Sequence, residues 1–102
     1  MEGITKKSFN TPDEVHNPKE KMKIEVVEID GFKFKRHTAK PGYKGHNCEI
    51  NHLLYIISGK LHARMPGGAE IEFSPGEIAL IPAGHDAWNR GNEPVVWLEV
   101  PH

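Results

Sequence analysis

Two histidines and a cysteine, His46, Cys48 and His52, lie within seven residues of one another. Alternate residues of an extended strand point to the same side, so these three share a face with Leu54 and Ile56. Because Leu54 and Ile56 are apolar, we expect this face to line the interior. Three such side chains on one face are candidate ligands of a metal ion. Thiolate and imidazole ligands favour zinc, copper or reduced iron over magnesium or manganese. The alternative is a metal-free polar pocket in which Cys48 is a small buried apolar side chain.

A second candidate group is the guanidinium of Arg36. Arg36 has the parity of Phe32 and Phe34, which predicts that it points inward, whereas His37 is expected to point outward. An inward arginine is either paired with a carboxylate or presents a fixed fork to an anionic substrate. His62 falls on the polar face of its segment and is expected to be solvated.

Short segments of strand length, separated by glycine- and proline-rich turns, must position these residues. None carries helical spacing over three turns, and a turn signal about every 8–12 residues predicts an all-β sandwich or closed barrel. Residues 1–22 show no sustained period and are expected to form an irregular or lightly docked arm, and residues 23–102 the barrel domain. The predicted strands are Lys23–Ile29, Phe32–Thr38, Cys48–Ser58, Leu61–Met65, Ala69–Phe73, Ile78–Pro82 and Val95–Val100, with a loop over Ala83–Asn89.

The composition excludes several classes of partner. Across 102 residues, 13 lysines and arginines nearly balance 14 aspartates and glutamates, so no global field favours nucleic acid or an anionic membrane. No stretch approaches the roughly 20 apolar residues of a membrane span. A single cysteine gives no sign of an oxidising compartment. We therefore expect a soluble, cytoplasmic protein with no nucleic-acid or membrane partner.

The segment Gly42 through Gly59 resembles the first motif of the cupin superfamily, G-x5-H-x-H-x3/4-E-x6-G. Counting back six residues from Gly59 places the glutamate position at His52 and the H-x-H pair at His46 and Cys48. From His46 to Gly59 the frame therefore matches while the ligand types are altered.

The segment from Gly76 resembles the second cupin motif, G-x5-P-x-G-x2-H-x3-N. Gly76, Pro82 and Gly84 fall at the required spacing, but Ala87 occupies the histidine position. The string IPAGHDAWN is also similar to a subgroup of small bacterial and archaeal cupins that carry P-P-G-H-D-A-W, in which the first motif likewise has Cys-x3-His.

The resemblance implies a single-domain double-stranded β-helix, or jelly-roll barrel. Members with the full ligand set hold a divalent metal through three histidines and a carboxylate. Carried over, this implies His46, Cys48 and His52 as ligands of zinc or iron, with a position open for water or substrate. His85 or Asp86 then compensates for the ligand lost at Ala87. The alternative for His85 is a structural role, with its ring fixing the turn through a backbone carbonyl.

Three functions follow as hypotheses. The first is a metal-dependent enzyme, such as a dioxygenase, isomerase, lyase or decarboxylase, acting on a small anionic molecule. Arg36 would meet the anion, and Trp88 or Tyr55 would pack against its apolar part. The second is a non-catalytic binding or sensor module, and the third a metal-free structural dimer.

The outer face of the strand that follows His52 is apolar as well. Leu53, Tyr55 and Ile57 form this second face, which a monomer seldom leaves exposed. We expect a homodimer that buries it and in which the N-terminal arm can be exchanged between subunits; the alternative is that the chain's own arm covers it.

Overall fold

Ten strands form two antiparallel sheets in the computed structural model, which describes residues 3–46 and 49–101. The larger sheet has the order β1-β2-β3-β10-β5-β8 and the smaller one the order β4-β9-β6-β7. No helix in the described part of the chain is long and apolar enough to cross a membrane. The predicted all-β class is confirmed. The strands are β1 Glu14–Lys19, β2 Met22–Ile29, β3 Phe32–Ala39, β4 Lys44–Gly45, β5 His52–Ser58, β6 Leu61–Arg64, β7 Glu70–Phe73, β8 Ile78–Ile81, β9 Asp86–Trp88 and β10 Val95–Glu99.

Strand β5 shows how the alternation of side chains builds the core. Leu54 and Ile56 are 2% and 0% exposed, whereas Tyr55 and Ile57, on the other face, are 41% and 45% exposed. The inward side chains of β5 join Leu61 of β6 and Val95 of β10 in one apolar cluster. The face predicted for Leu54 and Ile56 is therefore confirmed, and it places His52, at the start of β5, against the interior.

The turn between β2 and β3 is a two-residue hairpin. Ile29 pairs with Phe32, and the two residues between them, Asp30 and Gly31, have φ values of 48° and 83°. Positive φ at both positions is typical of the type I′ turn, which the Asp-Gly pair favours. The turn signal in the sequence thus fixes where β2 ends and β3 begins.

The structure differs from the sequence prediction at three segments. The N-terminal arm contributes β1, which pairs with β2 through Glu14 and Val26. All six residues of β1 are exposed, so the strand carries no alternation that the sequence could reveal. The strand expected to begin at Cys48 begins at His52 among the described residues, and the loop expected over Ala83–Asn89 contains the three-residue strand β9.

Candidate functional site

A cavity of about 470 Å³ opens into the interior of the barrel. This volume is in the range of small-molecule sites, whose walls are mostly apolar with a few placed polar groups. Its walls follow that pattern, with Leu54, Ile81 and Trp97 among the apolar residues. The histidines and carboxylate that line it are His37, His46, His52, His85 and Glu99.

The carboxylate of Glu99 links two of the histidines. One oxygen, Oε1, accepts a hydrogen bond from Nδ1 of His52, and the other, Oε2, lies 2.7 Å from Nε2 of His37. Strand β10 lies between β3 and β5 in the sheet, so its last residue falls between a histidine on either side. Burial raises the pKa of Glu99, but the hydrogen bonds from His37 and then His52 outweigh it, and the pKa lies well below its usual range. The side chain is therefore an ionised acceptor.

His85 stands beside His52 on the cavity wall. The centroids of the two rings are 5.1 Å apart and the rings meet edge to face at 77°. His85 is 4% exposed, and its Nδ1 lies 2.7 Å from the carbonyl oxygen of Pro82. A carbonyl and an ionised carboxylate can only accept, so Nδ1–H is the donor in both rings. In the neutral form of each ring, the lone pair is then on Nε2. The turn contact considered for His85 is present, and it is also the kind of contact that orients a metal-ligating histidine.

The other predicted ligands are less closely gathered. His46 lines the cavity with a side chain that is 70% exposed, and its Nδ1 lies 3.9 Å from the Asp86 carboxylate. The Asp86 carboxylate also lies 3.7 Å from the Arg64 guanidinium, and Asp86 does not line the cavity. Cys48 lies outside the described residues. Within residues 3–46 and 49–101, no three histidine, cysteine, aspartate or glutamate side chains are grouped as a metal site.

The inward orientation predicted for Arg36 is wrong. Its Nε and one terminal nitrogen both lie 2.9 Å from the carboxylate of Glu25 on β2, and the ring of Phe9 covers it at 5.1 Å. This is the carboxylate-paired role that the sequence left open for Arg36. The apolar residues that set the parity did not mark the inner face, since Phe32 is 56% exposed.

His37 is buried, which reverses the prediction that it faces outward. Only 7% of it is exposed, and its ring stacks on Trp97 with the centroids 5.0 Å apart and the planes 13° from parallel. The two are cross-strand partners of β3 and β10. A signal was available in the sequence, because His37 has the parity of Ala39, which is fully buried. Glu99 and His37 are the site residues that the sequence analysis missed.

The aromatic residues expected around a ligand do not line this cavity. Tyr55 is 41% exposed on the outer face of the larger sheet. Trp88 packs against His62 with the ring centroids 4.6 Å apart, and Arg64 and Arg90 lie over the indole. His62, expected to be solvated, is therefore only 8% exposed. Covered by Trp88, it belongs to the outer surface of the smaller sheet.

Two lysines bring positive charge to the cavity. Lys19 of β1 and Lys35 of β3 both line it and are exposed to solvent. The amine of Lys19 lies 5.6 Å from the centre of the Tyr43 ring. In the described part of the chain, neither lysine has a carboxylate within ion-pair distance. These two cations, rather than Arg36, are the charges that an anionic ligand would meet.

Comparison with known proteins identifies the fold. Residues 32–101 match the profile of the Cupin_2 family, described as a cupin domain. Comparison with curated proteins gives no match.

Solved structures agree with this family match. The polyketide cyclase RemF from Streptomyces resistomycificus is 18% identical, with a TM-score of 0.76 over 97% of this chain and 79% of that one. The cupin domain of an XRE family transcriptional regulator from Enterobacter cloacae is 17% identical, with a TM-score of 0.67 over 81% of this chain and 97% of that one. An oxalate decarboxylase variant from Bacillus subtilis is 25% identical, with a TM-score of 0.67, but the match covers 87% of this chain and 27% of the enzyme. The jelly-roll architecture predicted from the sequence is confirmed, and the chain belongs to the cupin family.

Proposed function

We propose that this cupin binds a divalent transition metal ion in its barrel cavity and holds a small anionic molecule beside it. The observation that carries the proposal is the pair His52 and His85. Both are set into the wall of one cavity, and both have Nδ1 engaged with an acceptor. That arrangement is typical of histidines that ligate a metal through Nε2.

The two rings are neighbours on the cavity wall, with their centroids 5.1 Å apart, which is close enough for one ion to contact both. His46 and Cys48 are the further ligands that we propose, and with them the donor set is nitrogen and sulfur, which favours zinc or iron. We also propose that the chain belongs to the PPGHDAW-containing subgroup, because Cys48 and His52 have the Cys-x3-His spacing of that subgroup. A metal ion there would act as a Lewis acid toward an oxygen of the bound molecule.

Metal content tests this centre directly. Protein purified without an affinity tag and loaded with zinc or ferrous iron is expected to retain about one ion per chain. His52→Gln and His85→Gln should each lose most of it, and Cys48→Ser should lose most of it while staying folded. His16→Gln is the control, because His16 is an exposed residue of β1 outside the cavity. A wild-type protein that retains no metal contradicts the proposal and favours the metal-free alternatives.

The anion preference is supported by Lys19 and Lys35, two exposed cations at a cavity whose walls are mostly apolar. A molecule that combines an apolar body with a carboxylate matches both properties. Lys35 and Arg36 are consecutive yet differ in whether they line the cavity, so they form a matched pair. Calorimetry with benzoate should show weaker binding for Lys35→Met and unchanged binding for Arg36→Met. Equal affinities for the wild-type and Lys35→Met proteins would refute the role of Lys35.

Turnover is a separate question from binding, since the similar structures include enzymes and a domain of a transcriptional regulator. A screen of small carboxylates against the zinc- and iron-loaded protein separates the two functions. Product formation supports the enzyme that the sequence suggested, of dioxygenase, isomerase, lyase or decarboxylase type. Ligands that bind and are recovered unchanged support a binding or sensor module.

We also propose that the chain forms a homodimer through the outer face of β5 and β8. Tyr55 pairs with Ile78 and Leu53 with Leu80, so these side chains are neighbours on one face. Ile78 and Leu80 are 74% and 68% exposed. An uncharged apolar patch is self-complementary, as a two-fold interface requires. The arm's strand, β1, lies at the opposite edge of the sheet, which argues against its covering this face within one chain.

A further inference from the structure

The geometry points to Glu99 as a positioning residue for the metal centre, which, held by His37, fixes the His52 ring in the tautomer that offers Nε2 to the ion. This inference rests on the proposed metal site. It concerns two residues, Glu99 and His37, that the cupin motifs do not contain.

The first support is that both oxygens of Glu99 are already engaged. Oε1 accepts from His52 and Oε2 from His37, and the side chain is only 13% exposed. These two contacts direct both oxygens at imidazole N–H groups, although each oxygen keeps a second lone pair. The effect of Glu99 on the ion therefore passes through His52, as second-shell carboxylates act on metal-bound histidines.

The second support is the rigidity of the residue behind Glu99. His37 is flat against Trp97 and 7% exposed, and its Nδ1 has no hydrogen-bond partner among the described residues. Among the described residues, the buried His37 ring therefore makes its hydrogen bond through Nε2, to Glu99. His37, Glu99 and His52 belong to the adjacent strands β3, β10 and β5, so hydrogen-bonded backbones hold the whole row.

The third support is that the contact with Glu99 determines which ring nitrogen of His52 carries the proton. An ionised carboxylate is an acceptor only, so the proton of a neutral His52 lies on Nδ1 and the lone pair on Nε2. His85 reaches the same tautomer through the Pro82 carbonyl. The two neighbouring rings therefore offer the same atom by independent means.

The test is Glu99→Gln, with zinc affinity measured by competition against a chromophoric chelator. Loss of the charge behind His52 should weaken zinc binding about 10- to 100-fold. Glu93→Gln is the control, because Glu93 is exposed and outside the cavity, and it should bind zinc as the wild type does. His37→Phe keeps an aromatic ring to stack on Trp97 but removes the hydrogen bond, and should weaken zinc binding by a smaller factor than Glu99→Gln.

A second measurement needs no variant. Long-range ¹H–¹⁵N correlation spectra of the metal-free wild-type protein should show His52 protonated on Nδ1. A tautomer protonated on Nε2 would overturn the inference, as would Glu99→Gln protein that binds zinc with wild-type affinity. A wild-type protein that binds no zinc overturns the proposed function itself, so the two failures are distinguishable.

Discussion

Arg36 and His37 are consecutive residues of β3 that serve opposite faces of the larger sheet. The Arg36 guanidinium lies 2.9 Å from the Glu25 carboxylate beneath the ring of Phe9, while His37 stacks on Trp97 at the cavity. The charge that the sequence offered for ligand binding therefore stabilises the fold. The residue set aside as external instead lines the cavity.

Arg36→Met is expected to lower the free energy of unfolding by about 2 kcal/mol, because the buried Glu25 carboxylate loses the nearer of its two charged partners and keeps only Lys23 at 3.8 Å. The Glu25 side chain is 8% exposed, so water replaces little of that interaction. Urea denaturation measures the change, and Glu25→Gln combined with Arg36→Met should recover part of it. Lys33→Met, an exposed change in the same strand, should stay within about 0.5 kcal/mol of the wild type. Equal losses for Lys33→Met and Arg36→Met would contradict this role.

Period-two patterning predicts which residues share a face, but it does not say which face is inside. For β5 the apolar pair Leu54 and Ile56 settled the matter correctly. For β3 the aromatic residues predicted the wrong inner face, because Phe32 at the hairpin end is 56% exposed. The parity of Ala39 was the better guide, since a small apolar residue fits where sheets pack closely.

The missing part of the site depended on contacts between distant residues. Glu99 and His52 are 47 positions apart, and nothing local to either predicts that β10 lies beside β5. Strand β9 was missed for the same reason, since its three residues are defined by pairing with β4 and β6. The His52 and His85 positions, by contrast, came from motif spacing, which carries the fold's geometry with it.

Acid should break the side-chain contact between Asp13 and the backbone of β2. The hydrogen bond from the Glu28 backbone N–H, and then the Lys7 amine, hold the pKa of Asp13 below its usual range. A lowered pKa means that this contact is fully formed above about pH 4, the unfolded value, and is lost as the pH falls through the lower folded value. The Glu28 amide resonance should therefore titrate with a midpoint below about 4, and Asp13→Asn should abolish that titration. A midpoint at or above about 4 would contradict the assignment.

Ile78→Lys is expected to turn the proposed dimer into a monomer. A lysine in this face would be buried against apolar side chains of the partner subunit, and burying an unpaired charge is strongly unfavourable. Light scattering at tens of micromolar should show the mass fall from twice 11.5 kDa to 11.5 kDa. Phe32→Lys, an equally non-conservative change at an exposed residue three strands from β8, should remain dimeric. A monomeric wild-type protein under the same conditions would rule out this interface.

Gly59 closes the connection from β5 to β6 under a constraint that glycine alone meets. Its φ is +74°, and an added Cβ would overlap the Pro94 carbonyl oxygen and lie 2.8 Å from Cα of Val95, a fully buried residue.

Gly31 separates the two costs, because its φ is +83° but an added Cβ meets nothing within 4 Å. Gly31→Ala should therefore cost about 1–2 kcal/mol, the penalty of the left-handed backbone alone. Gly59→Ala should cost more, by roughly a further 1–3 kcal/mol, because the packed backbone of β10 must shift to admit the methyl group. Urea midpoints of the two variants compare these costs directly. Equal destabilisation would mean that β10 moves aside freely, and that the close approach at Val95 does not help to fix the strand that carries Glu99.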